Sequence, residues 1–407
     1  MAARRIFEDV RIADFTWLGV GPITTKFLAN MGATVIHVES AARPDLTRVS
    51  YPYKDFQAGL NRSAFFTLYN DSKYGLSLNL KLPQAQEVAR RLVRDWANVV
   101  ADAHLPGNME KWGLDYAALS RDRPDLIHVA TALQGKTGPY SGMPGHGMAG
   151  VSLGGFSEIT GWPDGEPAVP FGAYSDFVTF PHMVSALIAA LIYRKRTGKG
   201  QYIELSQLEC SVQFLSPLVM DYILNGRVAK RAGNTAVNAA PHAVYRCKGE
   251  GEKWCAIAVT SDEEWQSLCK VMGSPDWTRD ERFTTLKGRK DNEDALNALV
   301  EQWTVNYELR ELMYLLQSSG VPAGMVSSGQ DLVADAQLNH RGTHWILDHP
   351  EIGPHIYQPP PYRFSKTPVE LTMPAPCMGE HNEYVLKEVL GMTDEEIVDL
   401  LIAGALE

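Results

Sequence analysis

Residues 10–39 set the strongest constraint on what this chain can fold into. Val10 to Asp14 reads as a short buried strand and Thr16 to Gly21 as a turn. Pro22 to Met31 is helical, with Pro at its first position and Gly32 just past its end. Thr34 to Val38 is a second strand closing on Glu39. Two strands joined by a helix run parallel through a right-handed crossover, and a parallel sheet needs helices on both faces. The alternation continues through a strand at Leu76 to Leu80, a helix at Pro83 to Trp96 and a strand at Val99 to Ala101. A short helix at Tyr116 to Ser120 and a strand at Leu126 to Ala130 follow. The reading is α/β, an open, doubly wound, Rossmann-like parallel sheet.

Glycines then crowd the chain at Gly135, Gly138, Gly142, Gly145, Gly147 and Gly150, with Gly154 and Gly155 beyond. Backbone without Cβ approaches a ligand closely; an ordered surface loop is the plain alternative. Pro181 to Lys195 is the strongest helix signal, with Thr179 able to cap it, a basic end at Arg194 to Arg196, and Gly198 after it. Asp176 stands just ahead of this helix. A carboxylate near a helix N-terminus is favoured as the anion, and an ionised, positioned aspartate can attack an activated acyl group. A simple capping role fits the same spacing, and spacing alone leaves both open.

Gly200 to Leu205 reads as a strand and Leu208 to Asn225 as one long helix. Near Gly226 the character changes. Arg227 to Ala240 resembles a linker; Ala243 to Cys247 and Trp254 to Val259 form a hairpin-like pair; helical segments follow, then a strand after Gly324. The expected organisation is a large domain over 1–225, a small α+β domain over 226–330, and a segment over 331–407 that returns to the large domain.

At 407 residues the chain exceeds one ordinary core. A formal charge of −10 argues against nucleic acid as the main partner, because phosphate binding needs a basic face. Met1 to Arg5 is basic, but Glu8 and Asp9 follow and no apolar signal segment appears. No uninterrupted apolar stretch is long enough for a membrane span. The five cysteines are scattered, with no CxxC pair, which fits free thiols in the cytoplasm and no metal site. Gly19-Val20-Gly21 after the first strand is a poor dinucleotide fingerprint: Thr24 stands where a third glycine is needed, and Pro22 removes a phosphate-facing N–H. His146 could act as a base, or serve only as a hydrogen-bonding loop residue.

Several strings, in order along the whole chain, resemble the class III CoA-transferase family, the formyl-CoA transferase and carnitine CoA-transferase group. They are Ile12 to Thr16 with Gly21-Pro22, Met31 to Glu39, Asn70 to Leu78, Thr160 to Gly165, Ser175-Asp176, Arg196 to Gln201 and Gly379-Glu380-His381. The resemblance implies a large Rossmann-like domain with a small inserted domain and two subunits interlocked like chain links. The subunits would be two copies or a pair with a related chain. It implies Asp176 as the catalytic aspartate and CoA contacts at Trp17, Leu18, Gly19, Val20, Leu78, Ala103, His104 and Lys111. Ser40 stands where a close relative has arginine, which leaves Arg43 or Arg48 to meet a CoA phosphate. The substrates would be acyl-CoA thioesters and carboxylic acids, with no permanently bound cofactor.

The strings Pro241 to Cys247 and Trp254 to Val259 are similar to members that use succinyl-CoA and a larger acceptor, such as the benzylsuccinate or citramalate enzymes. Gly147 replaces an acidic residue of the oxalate-specific member, and the tetraglycine loop of that member is absent, which argues against oxalate and formate. Two rivals stay open. An α-methylacyl-CoA racemase would use His146 and Asp176 as a base pair, and a silent CoA-binding subunit would support an active partner.

Overall fold

The computed structural model describes residues 5–371 and 373–407. Met1 to Arg4, most of the basic N-terminal run, lies outside the described residues. Six strands form one sheet: β1 (Arg11–Phe15), β2 (Thr34–Glu39), β3 (Tyr74–Ser77), β4 (Val99–Asp102), β5 (Ile127–Ala132) and β6 (Gln201–Ser206). Every pairing is parallel and the order is β3-β2-β1-β4-β5-β6. The order reverses between β1 and β4, where the loops leaving the two strands part and open a crevice at their carboxyl ends.

Alternate strand residues feed two cores. Ala13, Phe15, Ile36, Val38 and Val100 face one side, packed by Val88, Leu92 and the C-terminal residues Leu386, Leu400 and Leu406. Ile12, Val35, Val99, Ala101 and Val129 face the other, under Leu28, Met183, Leu187 and Ala190. The C-terminal segment is stitched to the sheet edge, where Asn79 N–H donates to the Ala405 carbonyl at 3.0 Å.

Several helix boundaries differ from those the sequence suggested. Helix α1 (Val20–Asn30) starts ahead of Pro22, which occupies its third position. The turn before it is tight: Leu18 has φ of 64°, and its N–H donates to Asp45 Oδ2 at 3.1 Å. Part of the glycine stretch is helical, α2 (Gly147–Leu153). Helix α3 (Tyr174–Thr197) runs through Pro181 rather than starting there, so Asp176 sits inside its first turn and Thr179 is no cap. Pro181 removes one helical hydrogen bond, a loss of about 3 kcal/mol in an isolated helix. Burial of Ser175 and Thr179 before it, and of Met183, Leu187 and Ala190 after it, holds the axis together.

Helix α3 is long and apolar enough by length and composition to cross a membrane, although polar residues interrupt it, and one face packs into the sheet core. The expected helix over 208–225 is two: α4 (Gln207–Phe214) and α5 (Ser216–Asn225). Pro217 has no N–H to continue α4 and instead starts α5.

The chain divides into two compact units. The first comprises Met1–Ser157, Val169–Val228 and Gln337–Glu407 and carries the sheet. The second comprises Glu158–Ala168 and Ala229–Ala336. It holds an antiparallel sheet of β7 (His242–Arg246), β8 (Trp254–Ala258) and β9 (Ala323–Met325), with Tyr245, Ile257, Trp265, Phe283, Leu296 and Leu312 in its core. Residues 158–168 join it through long-range bonds: Gly233 N–H donates to the Gly161 carbonyl at 2.9 Å, and Lys230 pairs with Glu158 at 2.7 Å.

Candidate active site

Asp176 is carried by the first turn of α3, where its own N–H bonds the Ala173 carbonyl at 2.9 Å. Its carboxyl group lies between two glycines. A Cβ at Gly19 would fall 2.1 Å from Oδ2, and one at Gly147 would fall 2.6 Å from Oδ1 and Cγ. No side chain fits at either position without moving the carboxyl group. The Gly147 wall is fastened to α3, because Ser175 Oγ donates to its carbonyl at 2.7 Å. The turn that carries Gly19 follows β1, whose Asp14 is the centre of a buried network. There Asp14 accepts from Lys73 Nζ at 3.1 Å, Thr25 Oγ1 at 2.7 Å and Thr16 Oγ1 at 2.5 Å. Against the burial that would raise it, Lys73 and His37 hold the Asp14 carboxyl far below the usual range.

Asp176 itself is only 7 % exposed, and among the described residues it makes no ion pair. Burial pushes its carboxyl up to about 7, while a hydrogen bond from Gln207 Nε2 to Oδ1 at 3.1 Å pulls the other way. The helix dipole, expected to keep this group ionised, contributes at most about 2 kcal/mol in a buried setting, roughly one and a half pKa units, less than half the shift that burial produces. Burial therefore wins in the ligand-free protein, and the group titrates near neutrality. A nucleophile or base poised there is the usual product of such an environment.

The crevice at the switch point receives several of the residues expected to meet CoA. Trp17, Arg43, Leu78 and His104 line one cleft, together with Lys81 and Trp112. His104 makes edge contacts with Trp17 and Trp112, at 5.5 and 4.9 Å between ring centres. Burial between these rings lowers it to about 4, so it is neutral at physiological pH. The Arg43 guanidinium lies 4.9 Å from the Trp17 ring centre. Gly19 stands against Asp176 instead, Val20 is buried at the start of α1, Ala103 follows the end of β4, and Lys111 is exposed on a short helix beyond it.

The two candidate arginines separate cleanly. Arg48 is fully buried and bidentate to Glu39 at 2.6 and 2.7 Å, and it also donates to the Leu60 and Pro376 carbonyls. No donor is left to spare for a phosphate. Arg43 stays exposed at the cleft. Ser40 Oγ and Ala41 N–H both donate to the Glu407 carboxylate at 2.7 Å, so the turn after β2 already holds an anion.

His146 caps α2: its Nδ1 accepts from Met148 N–H at 3.4 Å, and the residue is exposed. Among the described residues no hydrogen bond joins it to Asp176. Sequence reasoning missed Gln207. Ser206 with Glu209 three residues on is a readable helix start, but nothing in that pattern points to Asp176.

The family model for CoA-transferase family III matches residues 7–382. A succinate–glutarate CoA-transferase of Agrobacterium fabrum is 32% identical over 386 residues, covering 94% of this chain and 95% of its own. A succinyl-CoA–D-citramalate CoA-transferase of Chloroflexus aurantiacus is 29% identical over 398 residues, 97% of each chain. Among solved structures, a CAIB/BAIF family protein from Brucella suis superposes with a TM-score of 0.86 at 31% identity, over 95% of this chain and 99% of that one.

Proposed function

This chain belongs to CoA-transferase family III and is a CoA-transferase, and from that premise we propose that it moves CoA from succinyl-CoA to a dicarboxylic acid with Asp176 as the covalent carrier. The observation that carries this reading is the Asp176 carboxyl group, buried with no cation paired to it among the described residues and walled by the backbones of Gly19 and Gly147. A carboxyl so placed is desolvated, which strengthens its attack once ionised, and the glycine backbones on both sides hold no side chain that would cover it.

In the proposed sequence, an Asp176 oxygen attacks the thioester carbon of the donor. The C–S bond breaks, leaving a mixed anhydride and CoA thiolate. The thiolate attacks Cγ of Asp176 and expels the donor acid, giving an aspartyl-CoA thioester. The acceptor carboxylate attacks Cγ, displaces the thiolate and forms a second anhydride. The thiolate then attacks the acceptor's acyl carbon and frees Asp176. One thioester is exchanged for another, so the balance needs no ATP. The cleft of Trp17, Leu78 and His104 would hold the CoA, with Arg43 rather than Arg48 against a phosphate.

Succinyl-CoA as donor and a dicarboxylate as acceptor draw support from relatives whose names specify succinate, glutarate and D-citramalate. An aromatic acceptor such as benzylsuccinate belongs to the same chemical class and rests on the sequence strings alone. The reading includes an interlocked dimer and a reducing cytoplasm, which the five unpaired cysteines suit. It is tested by incubating the enzyme with succinyl-CoA and a panel of mono- and dicarboxylic acids, with mass spectrometry of the CoA products. New thioesters of dicarboxylic acids are expected; transfer confined to monocarboxylic acids would overturn the acceptor assignment.

A further inference from the structure

We propose that Gln207 is the hydrogen-bond donor that stabilises the oxyanion on the aspartyl side of the reaction, an inference that rests on Asp176 being the covalent carrier. Gln207 opens α4 directly after β6, and its side chain is buried, 9 % exposed. Nε2 donates to Asp176 Oδ1 at 3.1 Å. Oε1 has no hydrogen-bond partner among the described residues. An amide buried with its oxygen unsatisfied is destabilising, and leucine or methionine would fill the same space without that penalty. The amide leaves its own oxygen unsatisfied while its N–H serves Asp176, and a donor aimed at a carboxyl oxygen has a chemical use.

The surroundings tell the two carboxyl oxygens apart. Oδ2 faces Gly19, on the turn that leads from Trp17, while Oδ1 faces Gly147 and is held by Gln207. The free oxygen, Oδ2, makes the attack. As it bonds to the donor acyl carbon and the C–S bond breaks, Oδ1 becomes the carbonyl oxygen of the aspartyl half. CoA thiolate then adds to Cγ, and the C=O electron pair moves onto Oδ1. Collapse restores the carbonyl, breaks Cγ–Oδ2 and releases the donor acid with that oxygen. Attack by the acceptor carboxylate places charge on Oδ1 a second time.

The donor is already 3.1 Å from the atom where that charge appears, within the range of an oxyanion contact. A hydrogen bond to a full oxyanion is stronger than one to a carbonyl, so the contact tightens in the transition state, which is the condition for acceleration. Gln207 is held for this task from its own helix: Ser206 Oγ caps α4 by accepting from Glu209 N–H at 3.2 Å, and the Gln207 carbonyl accepts from Ser211 Oγ at 2.8 Å.

The test uses the full chain with Gln207→Leu and Gln207→Glu, the second keeping the shape but losing the N–H. In both, kcat should fall by about 100-fold while KM for succinyl-CoA stays within about twofold. In Gln207→Leu the acid limb of the rate profile should also move to higher pH, because a contact favouring the ionised Asp176 is lost. A purely structural role would lower the melting temperature without splitting kcat from KM or moving that limb. A folded variant of either kind with kcat within about threefold of wild type overturns the proposal. Asp176→Asn distinguishes the two levels. If that variant is inactive while Gln207→Leu is active, only the Gln207 role fails; an active Asp176→Asn removes the carrier reading and this role with it.

Discussion

At the scale of single residues, the Asp176 carboxyl group is costly to the fold. An unfolded aspartate titrates near 3.8, whereas burial lifts this one to about 7. Between those values the folded chain keeps a proton that the unfolded chain has lost, so stability falls as pH rises from about 4 to about 7 and levels off above. Asp176→Asn should therefore melt higher than wild type above neutrality, by up to about 4 kcal/mol of stability, with the gap closing near pH 4. Melting curves across that window check the sign; a gap independent of pH would contradict the burial argument. Gly19→Ala tests the packing. The three atoms nearest its Cβ all belong to the Asp176 side chain, which would have to rotate. Transfer should drop by about 100-fold with little change in melting temperature, since displacing a reacting group by about 1 Å has that order of effect. Asp176 was visible in the sequence through its helix and its family string. Gln207 was not, because its contact with Asp176 exists only once β6 and α3 are brought together.

At the scale of elements, all six parallel strands were readable as apolar runs punctuated by turns, with ends displaced by no more than a few residues. The helix errors centre on proline. Pro22 and Pro181 were read as start signals, but Pro22 sits in the first turn of α1, where its missing N–H has no acceptor to lose, and packing against the sheet carries α3 across Pro181. Pro217 does break a helix, because α5 has no buried residue whose packing could offset the missing bond. The segment after β2 separates two roles that the sequence left joined. Arg48→Met should destabilise the fold by about 3–5 kcal/mol, since it strands the Glu39 carboxylate in the core. Arg43→Ala should leave the melting temperature alone and raise KM for CoA thioesters about tenfold. Denaturant titration and steady-state kinetics of the two variants check the division; the reverse pattern would return Arg48 to the ligand.

At the scale of the molecule, α5 points to what surrounds it. Val219, Met220, Tyr222, Ile223 and Leu224 are 41–72% exposed, so one short helix leaves five large apolar side chains uncovered. A second copy covering it fits the interlocked dimer proposed above. Gel filtration with light scattering should give two subunits or a multiple, persisting on dilution to nanomolar concentration. An active monomer would contradict it. The second unit was legible as a hairpin followed by helices. The membership of residues 158–168 was not, because it depends on hydrogen bonds to residues far along the chain. The central claim, that Asp176 carries the acyl group and then CoA, is tested most directly by trapping. The enzyme is incubated with succinyl-CoA and hydroxylamine or borohydride, digested, and the peptide spanning Asp176 is weighed. The account predicts a hydroxamate or a reduced alcohol at Asp176, formed only when succinyl-CoA is present. An unmodified Asp176 during sustained CoA transfer, or an adduct on another residue, would contradict it.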